Sequence, residues 1–98
     1  MRDACSNERV ERRHVLVYGF VQGVGFRYGV EREARSRHVR GWVRNRADGA
    51  VEAAFEGERE DIEALVDFCR RGPHGAEVER VEVVEESAEG LAGFRIAG

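Results

Sequence analysis

Six consecutive residues, Gln22-Gly23-Val24-Gly25-Phe26-Arg27, have types and spacing that could do chemistry. They close the longer stretch Gly19 to Arg27, which lies between an apolar run, Val15 to Tyr18, and a helix-like segment, Tyr28 to Arg37. A strand, a glycine-punctuated turn and a helix in that order expose main-chain N–H groups near a helix start, where an anion is held well. The glycines let the backbone take positive φ and come close to a ligand. Arg27 is the odd residue, because the helix dipole opposes a cation in the first turn by about 0.3–1 kcal/mol. A bound anion reverses the sign of that interaction. The spacing is not the dinucleotide fingerprint, since Tyr28 stands where its third glycine is needed, and it is not a Walker loop, which requires a lysine. A tight turn with glycines present for steric reasons is the alternative reading. The second candidate is Asn45, a poor strand former near the end of an apparent strand. Its alternative is an Asn beside a hairpin that bonds only to nearby backbone.

The elements that must position these residues follow from hydrophobic period. His14 to Gly19 reads as a first strand, with an apolar run suited to burial on both faces. Phe26, Val30 and Ala34 mark the buried face of a first helix, which ends at Ser36-Arg37-His38. Val39 to Arg46 reads as a second strand, with Arg40, Trp42, Arg44 and Arg46 on one face and Val39, Gly41, Val43 and Asn45 on the other. Asp48-Gly49 signals a hairpin turn. Val51, Ala53 and Phe55 alternate with Glu52, Ala54 and Glu56, which predicts a third strand with one solvated face. Gly57 is expected to break it. The second helix is expected from Glu58 to Arg71, with Ile62, Leu65, Val66 and Cys69 as its apolar stripe and Gly72-Pro73 as its stop. Glu77 to Glu86 reads as a fourth strand with a bulge or twist at Val83-Val84, and Leu91 to Ala97 as a short last one. The order βαββαβ plus a terminal strand predicts an α+β, ferredoxin-like sandwich, with two helices on one face of a mainly antiparallel sheet.

Composition narrows the function classes. Ninety-eight residues make one domain. Residues 1–12 read as a polar, disordered leader, and residues 13–98 as the folded domain. The net charge of −3 gives no bulk attraction to nucleic acid or acidic lipid. All sixteen basic residues are Arg, which excludes a Schiff-base lysine. Cys5 and Cys69 read as free thiols, because a bridge would tie a loose tail to a core position. His14, His38 and His74 lack metal-ligand spacing. No apolar run approaches the ~18 residues of a membrane span. The expectation is a cytoplasmic monomer with no metal, no cofactor, no nucleic acid and no membrane partner.

Gly19-Phe20-Val21-Gln22-Gly23-Val24-Gly25-Phe26-Arg27, followed by Gly41-Trp42-Val43-Arg44-Asn45, resembles the two signature stretches of the acylphosphatase family, in the right order and with the right separation. Gly49 and Val51 also suit that family, and the resemblance covers the chain from Arg13 onward. It implies the sandwich already reached and a metal-independent hydrolysis of a carboxyl–phosphate anhydride, with a small-molecule acyl phosphate as substrate. It implies that Arg27 binds phosphate, that the backbone of Gln22, Gly23, Val24, Gly25 and Phe26 forms its cradle, and that Asn45 holds the attacking water. The Gly98 carboxylate is a further candidate partner for Arg27. Two rival functions stay open: a non-catalytic module binding phosphate or carbamoyl phosphate, as this domain type also occurs inside larger carbamoyl-transfer proteins, and an RNA-binding sandwich. Because the sequence ends at Gly98, a free-standing enzyme is expected.

Overall fold

β1 (Val10–Phe20) is an interior strand of a five-stranded sheet, second from one edge. Its neighbours are β3 (Val51–Glu58) on one side and β4 (Glu77–Glu86) on the other, both antiparallel to it. β2 (Arg40–Asn45) pairs antiparallel with β3, and β5 (Phe94–Ile96) adds to β2 in parallel, giving the order β4-β1-β3-β2-β5. The structure is a computed structural model that describes residues 10–97.

Two helices supply the second layer. α1 (Phe26–Ser36) buries Phe26, Val30 and Ala34, and α2 (Arg59–Arg71) buries Ile62, Leu65, Val66 and Cys69. Both apolar stripes coincide with those expected from sequence period. They pack on Val15, Val17, Val43, Val51, Ala53 and Phe55 of the sheet to form one core. The helices meet where Phe68 sits edge-on to Phe26, ring centroids 6.2 Å apart. A Cβ on Gly29 would lie 2.8 Å from the Phe68 ring, so only a bare backbone lets α2 come this close to the head of α1. Burial pushes the Cys69 thiol up to about 12 and leaves it a neutral core group.

Several boundaries differ from the sequence reading. β1 begins at Val10 rather than His14, so residues 10–12, expected in the leader, are strand: Val10 pairs with Glu58, Glu11 with Gly57 and Arg12 with Glu56. The rest of the expected leader, with Cys5, lies outside the described residues. Gly57 does not break β3, which runs through it to Glu58. β2 is one residue shorter at each end than expected, and β5 spans only three residues. The irregularity expected at Val83-Val84 falls elsewhere. Tyr18 pairs with Arg80 and Gly19 with Val78, which leaves Glu79 as the extra residue of a bulge.

The expected solvated face of β3 is not solvated. The strand is buried from Val51 through Gly57, and the Glu56 side chain has 0 % exposure. Glu56 accepts hydrogen bonds from Arg12 Nη1 at 2.8 Å and from the main-chain N–H groups of Glu89, Gly90 and Leu91 at 2.8, 3.0 and 3.1 Å. A buried carboxylate is tolerated only when so satisfied. These bonds bring the stretch after β4 back to the sheet and set the start of β5 beside β2. Glu52 is held similarly by His14 Nε2 and Arg44 Nη2, each at 2.6 Å.

Candidate active site

Two structural facts bring the candidate loop and Asn45 together. β1 delivers the chain to Val21 at the same end of the sheet where β2 ends at Asn45, and α1 starts between them. The loop then turns through Gly23 (φ 78°) and Gly25 (φ 78°), both left-handed. A Cβ at either position would meet no atom within 4 Å, so packing does not require glycine there. The backbone angle does, and the missing side chains leave the loop amides open to approach.

Gly25 caps α1 without a side-chain hydrogen bond, and the first intrahelical bond runs from Gly29 N–H to the Gly25 carbonyl at 3.0 Å. The amides ahead of Gly29 therefore have no helical acceptor. The first turn of α1 contains no acidic residue, whereas that of α2 carries Glu60 and Asp61. Arg27 occupies the position where α2 has acids. Among the described residues Arg27 makes no ion pair and no side-chain hydrogen bond. A positive helix end, amides without a helical acceptor and a guanidinium unpaired among the described residues converge, an arrangement that attracts an anion.

They open into a pocket of about 250 Å³ lined by Val21, Gly23, Gly25, Phe26, Arg27, Tyr28 and Asn45. Five of the seven residues singled out from sequence (Gly23, Gly25, Phe26, Arg27 and Asn45) thus share one cavity. The Asn45 Oδ1 is buried and accepts no hydrogen bond from any described residue. That contradicts its alternative reading as an Asn bonded to local hairpin backbone. The hairpin is closed instead by Arg46 N–H to the Ala50 carbonyl at 2.8 Å and by Asp48, which accepts from the Ala50 N–H at 3.1 Å.

The other two candidates do not line the pocket. Val24 packs against the core, and Gln22 turns its amide away to the hairpin, donating to the Arg46 carbonyl at 2.8 Å and the Ala50 carbonyl at 3.0 Å. Sequence reasoning missed the side-chain role of Gln22 and the presence of Val21 and Tyr28 in the lining. Tyr28 carried one available signal: it lies off the Phe26-Val30-Ala34 stripe, so the core does not need it. The Gly98 carboxylate, a candidate partner for Arg27, lies outside the described residues.

Fold and pocket define the class first: a ferredoxin-like α+β sandwich in which an open glycine loop heads the first helix. The Acylphosphatase family model matches residues 13–96. An acylphosphatase of Thermococcus kodakarensis is 54% identical over 87 residues, which cover 89% of this chain and 96% of the relative. A solved acylphosphatase from Coxiella burnetii superposes with a TM-score of 0.90 at 35% identity, covering 99% of this chain and 100% of that one. The solved T. kodakarensis protein HypF matches at 36% identity and a TM-score of 0.78, over 90% of this chain but 12% of that one. The chain belongs to the acylphosphatase family, enzymes that hydrolyse acyl phosphates.

Proposed function

We propose that this chain hydrolyses its acyl phosphate in one in-line step, with Arg27 and the open loop amides on the phosphoryl group and Asn45 on the attacking water. The observation that carries the reading is the shared pocket: a guanidinium and a buried amide oxygen, both without a partner among the described residues, line the same 250 Å³ space. A buried acceptor without a partner is rare enough to call for an explanation, and a water donating to Oδ1 supplies one.

Phosphoryl transfer demands positioning and neutralisation of the equatorial oxygens more than covalent chemistry. The guanidinium fork and the backbone N–H groups supply both. The water oxygen forms a bond to phosphorus while the bond from phosphorus to the acyl oxygen breaks. The carboxylate leaves with the electron pair, and the water proton passes to a phosphoryl oxygen. A carboxylate whose acid has a pKa near ~4 leaves without a general acid, so none is required of the protein. Nor does the step require a metal, because the charge-neutralising groups belong to the chain itself. The chain acts as a monomer, since every group named lies in one copy.

The match over nearly the full length of the T. kodakarensis and C. burnetii acylphosphatases supports a free-standing enzyme over a binding module within a larger protein. The test is loss of benzoyl phosphate absorbance in the presence of a chelator. The wild type is expected to turn over, and Arg27→Ala to lose about 10²–10³ in rate. Phosphate binding without turnover would favour the non-catalytic reading.

A further inference from the structure

Tyr28 is a large ring that the fold does not use. It is 62 % exposed, although the face of α1 that meets the core is formed by Phe26, Val30 and Ala34. It nevertheless lines the pocket that contains Arg27 and Asn45. The lining therefore combines polar groups, the buried apolar side chains of Val21 and Phe26, and one exposed aromatic residue.

We propose that Tyr28 is the acyl-group platform of this enzyme and that it favours neutral, planar acyl phosphates, aroyl phosphates above all. The inference rests on the phosphoryl-binding reading given above and adds the other half of the substrate. Once the phosphoryl group is seated on the loop amides and Arg27, the acyl group must project outward, because the loop closes the inner side. Tyr28, in the same helical turn as Arg27, is the exposed aromatic residue of the lining that it can meet. A planar aroyl group, with its carbonyl conjugated to the ring, can lie against that face and gain offset-stacking contact. A small acyl group such as acetyl reaches little of it. An acyl group with a carboxylate of its own finds no cation in the lining besides Arg27, which the phosphoryl group already occupies.

The readout is the ratio of kcat/KM for benzoyl phosphate to that for acetyl phosphate, since a ratio taken within one variant cancels differences in active fraction. Tyr28→Phe keeps the ring, and Tyr28→Ala removes it. The ratio is expected to fall about three- to tenfold in Tyr28→Ala, the range of one aromatic contact, and to stay at the wild-type value in Tyr28→Phe. A ratio unchanged in Tyr28→Ala, or lowered equally in both variants, overturns the proposal while leaving the phosphoryl site intact. Failure of the wild type to hydrolyse either compound would overturn the catalytic reading and this inference with it.

Discussion

The side-chain amide of Gln22 donates to the main-chain carbonyl of Arg46 at 2.8 Å, the residue immediately after Asn45. The same amide reaches the Ala50 carbonyl at 3.0 Å, across the base of the hairpin. One side chain therefore ties the glycine loop to the strand end carrying Asn45, two segments that are remote in sequence. Loop and Asn45 must keep a fixed separation if one binds phosphate and the other places water, and misplacement by ~1 Å can cost about 10² in rate.

Gln22→Ala is accordingly expected to lower kcat for benzoyl phosphate by about 10- to 100-fold, with a much smaller change in the inhibition constant of inorganic phosphate. The amides and Arg27 that bind phosphate remain, and their distance from Asn45 changes. Steady-state kinetics with phosphate as competitor separates the two effects. An equal loss in both would make Gln22 part of the anion site itself.

Arg27→Lys tests whether geometry matters beyond charge. A lysine keeps the cation but loses the planar fork. Phosphate inhibition is expected to weaken about tenfold, against near-complete loss in Arg27→Ala. Comparable inhibition constants for wild type and Arg27→Lys would show that a point charge is enough.

Glu56 gives a pH dependence with a defined sign. Burial raises its pKa, but the Glu89 N–H, the Arg12 guanidinium and the N–H groups of Leu91 and Gly90 together outweigh that and hold it below the ordinary value. A carboxyl with a lowered folded pKa contributes stability above its unfolded pKa and loses that contribution as the pH falls through the folded value. Urea unfolding should therefore show a lower midpoint at about pH 3.5 than at about pH 7, and Glu56→Gln should narrow the gap. At neutral pH Glu56→Ala should cost about 3–5 kcal/mol, because Arg12 loses one of its two close carboxylate partners, Glu86 being the other, and the N–H groups of Glu89, Gly90 and Leu91 lose their acceptor.

The parts of this fold that were legible in sequence are those where one physical signal acts alone. The stripes of α1 and α2 are periodic and lie on the core, and the loop from Gly23 to Arg27 is conspicuous because its glycines and its helix-start cation defy local preference. β3 reads as half-solvated from sequence because Glu52 and Glu56 alternate with apolar residues, the pattern of a solvated face. Here their charges are met by Arg12, His14, Arg44 and three main-chain amides from residues distant in sequence, which no local pattern encodes. The early start of β1 was hidden for the same reason, since Arg12 looks like a leader residue until Glu56 is placed opposite it. Gly57 reads as a breaker, yet pairing with Glu11 carries β3 through it.

The C-terminus of α1 offers a stability test away from the site. His38 N–H donates to the Arg35 carbonyl at 3.2 Å and Val39 N–H to the Ala34 carbonyl at 2.8 Å, the paired bonds of a Schellman ending. The left-handed residue of that motif is His38, at φ 59°. Glycine is the usual occupant, and left-handed backbone costs other residues about 1–2 kcal/mol. After the added unfolded-state entropy of glycine, His38→Gly is expected to stabilise the fold by about 0.5–1 kcal/mol in urea denaturation. A loss of stability would mean that the His38 side chain makes a compensating contact.

The pairing of Arg27 with Asn45 in one pocket is tested most directly by Asn45→Ala, assayed for benzoyl phosphate turnover and for competitive inhibition by phosphate in the same buffer. Removing a preorganised group of this kind is expected to lower kcat by about 10²–10³ while the phosphate inhibition constant stays within about threefold of wild type. Near-normal turnover in Asn45→Ala would contradict the assignment of Asn45 to the water and, with it, the reading of this pocket as the place where the anhydride is cleaved.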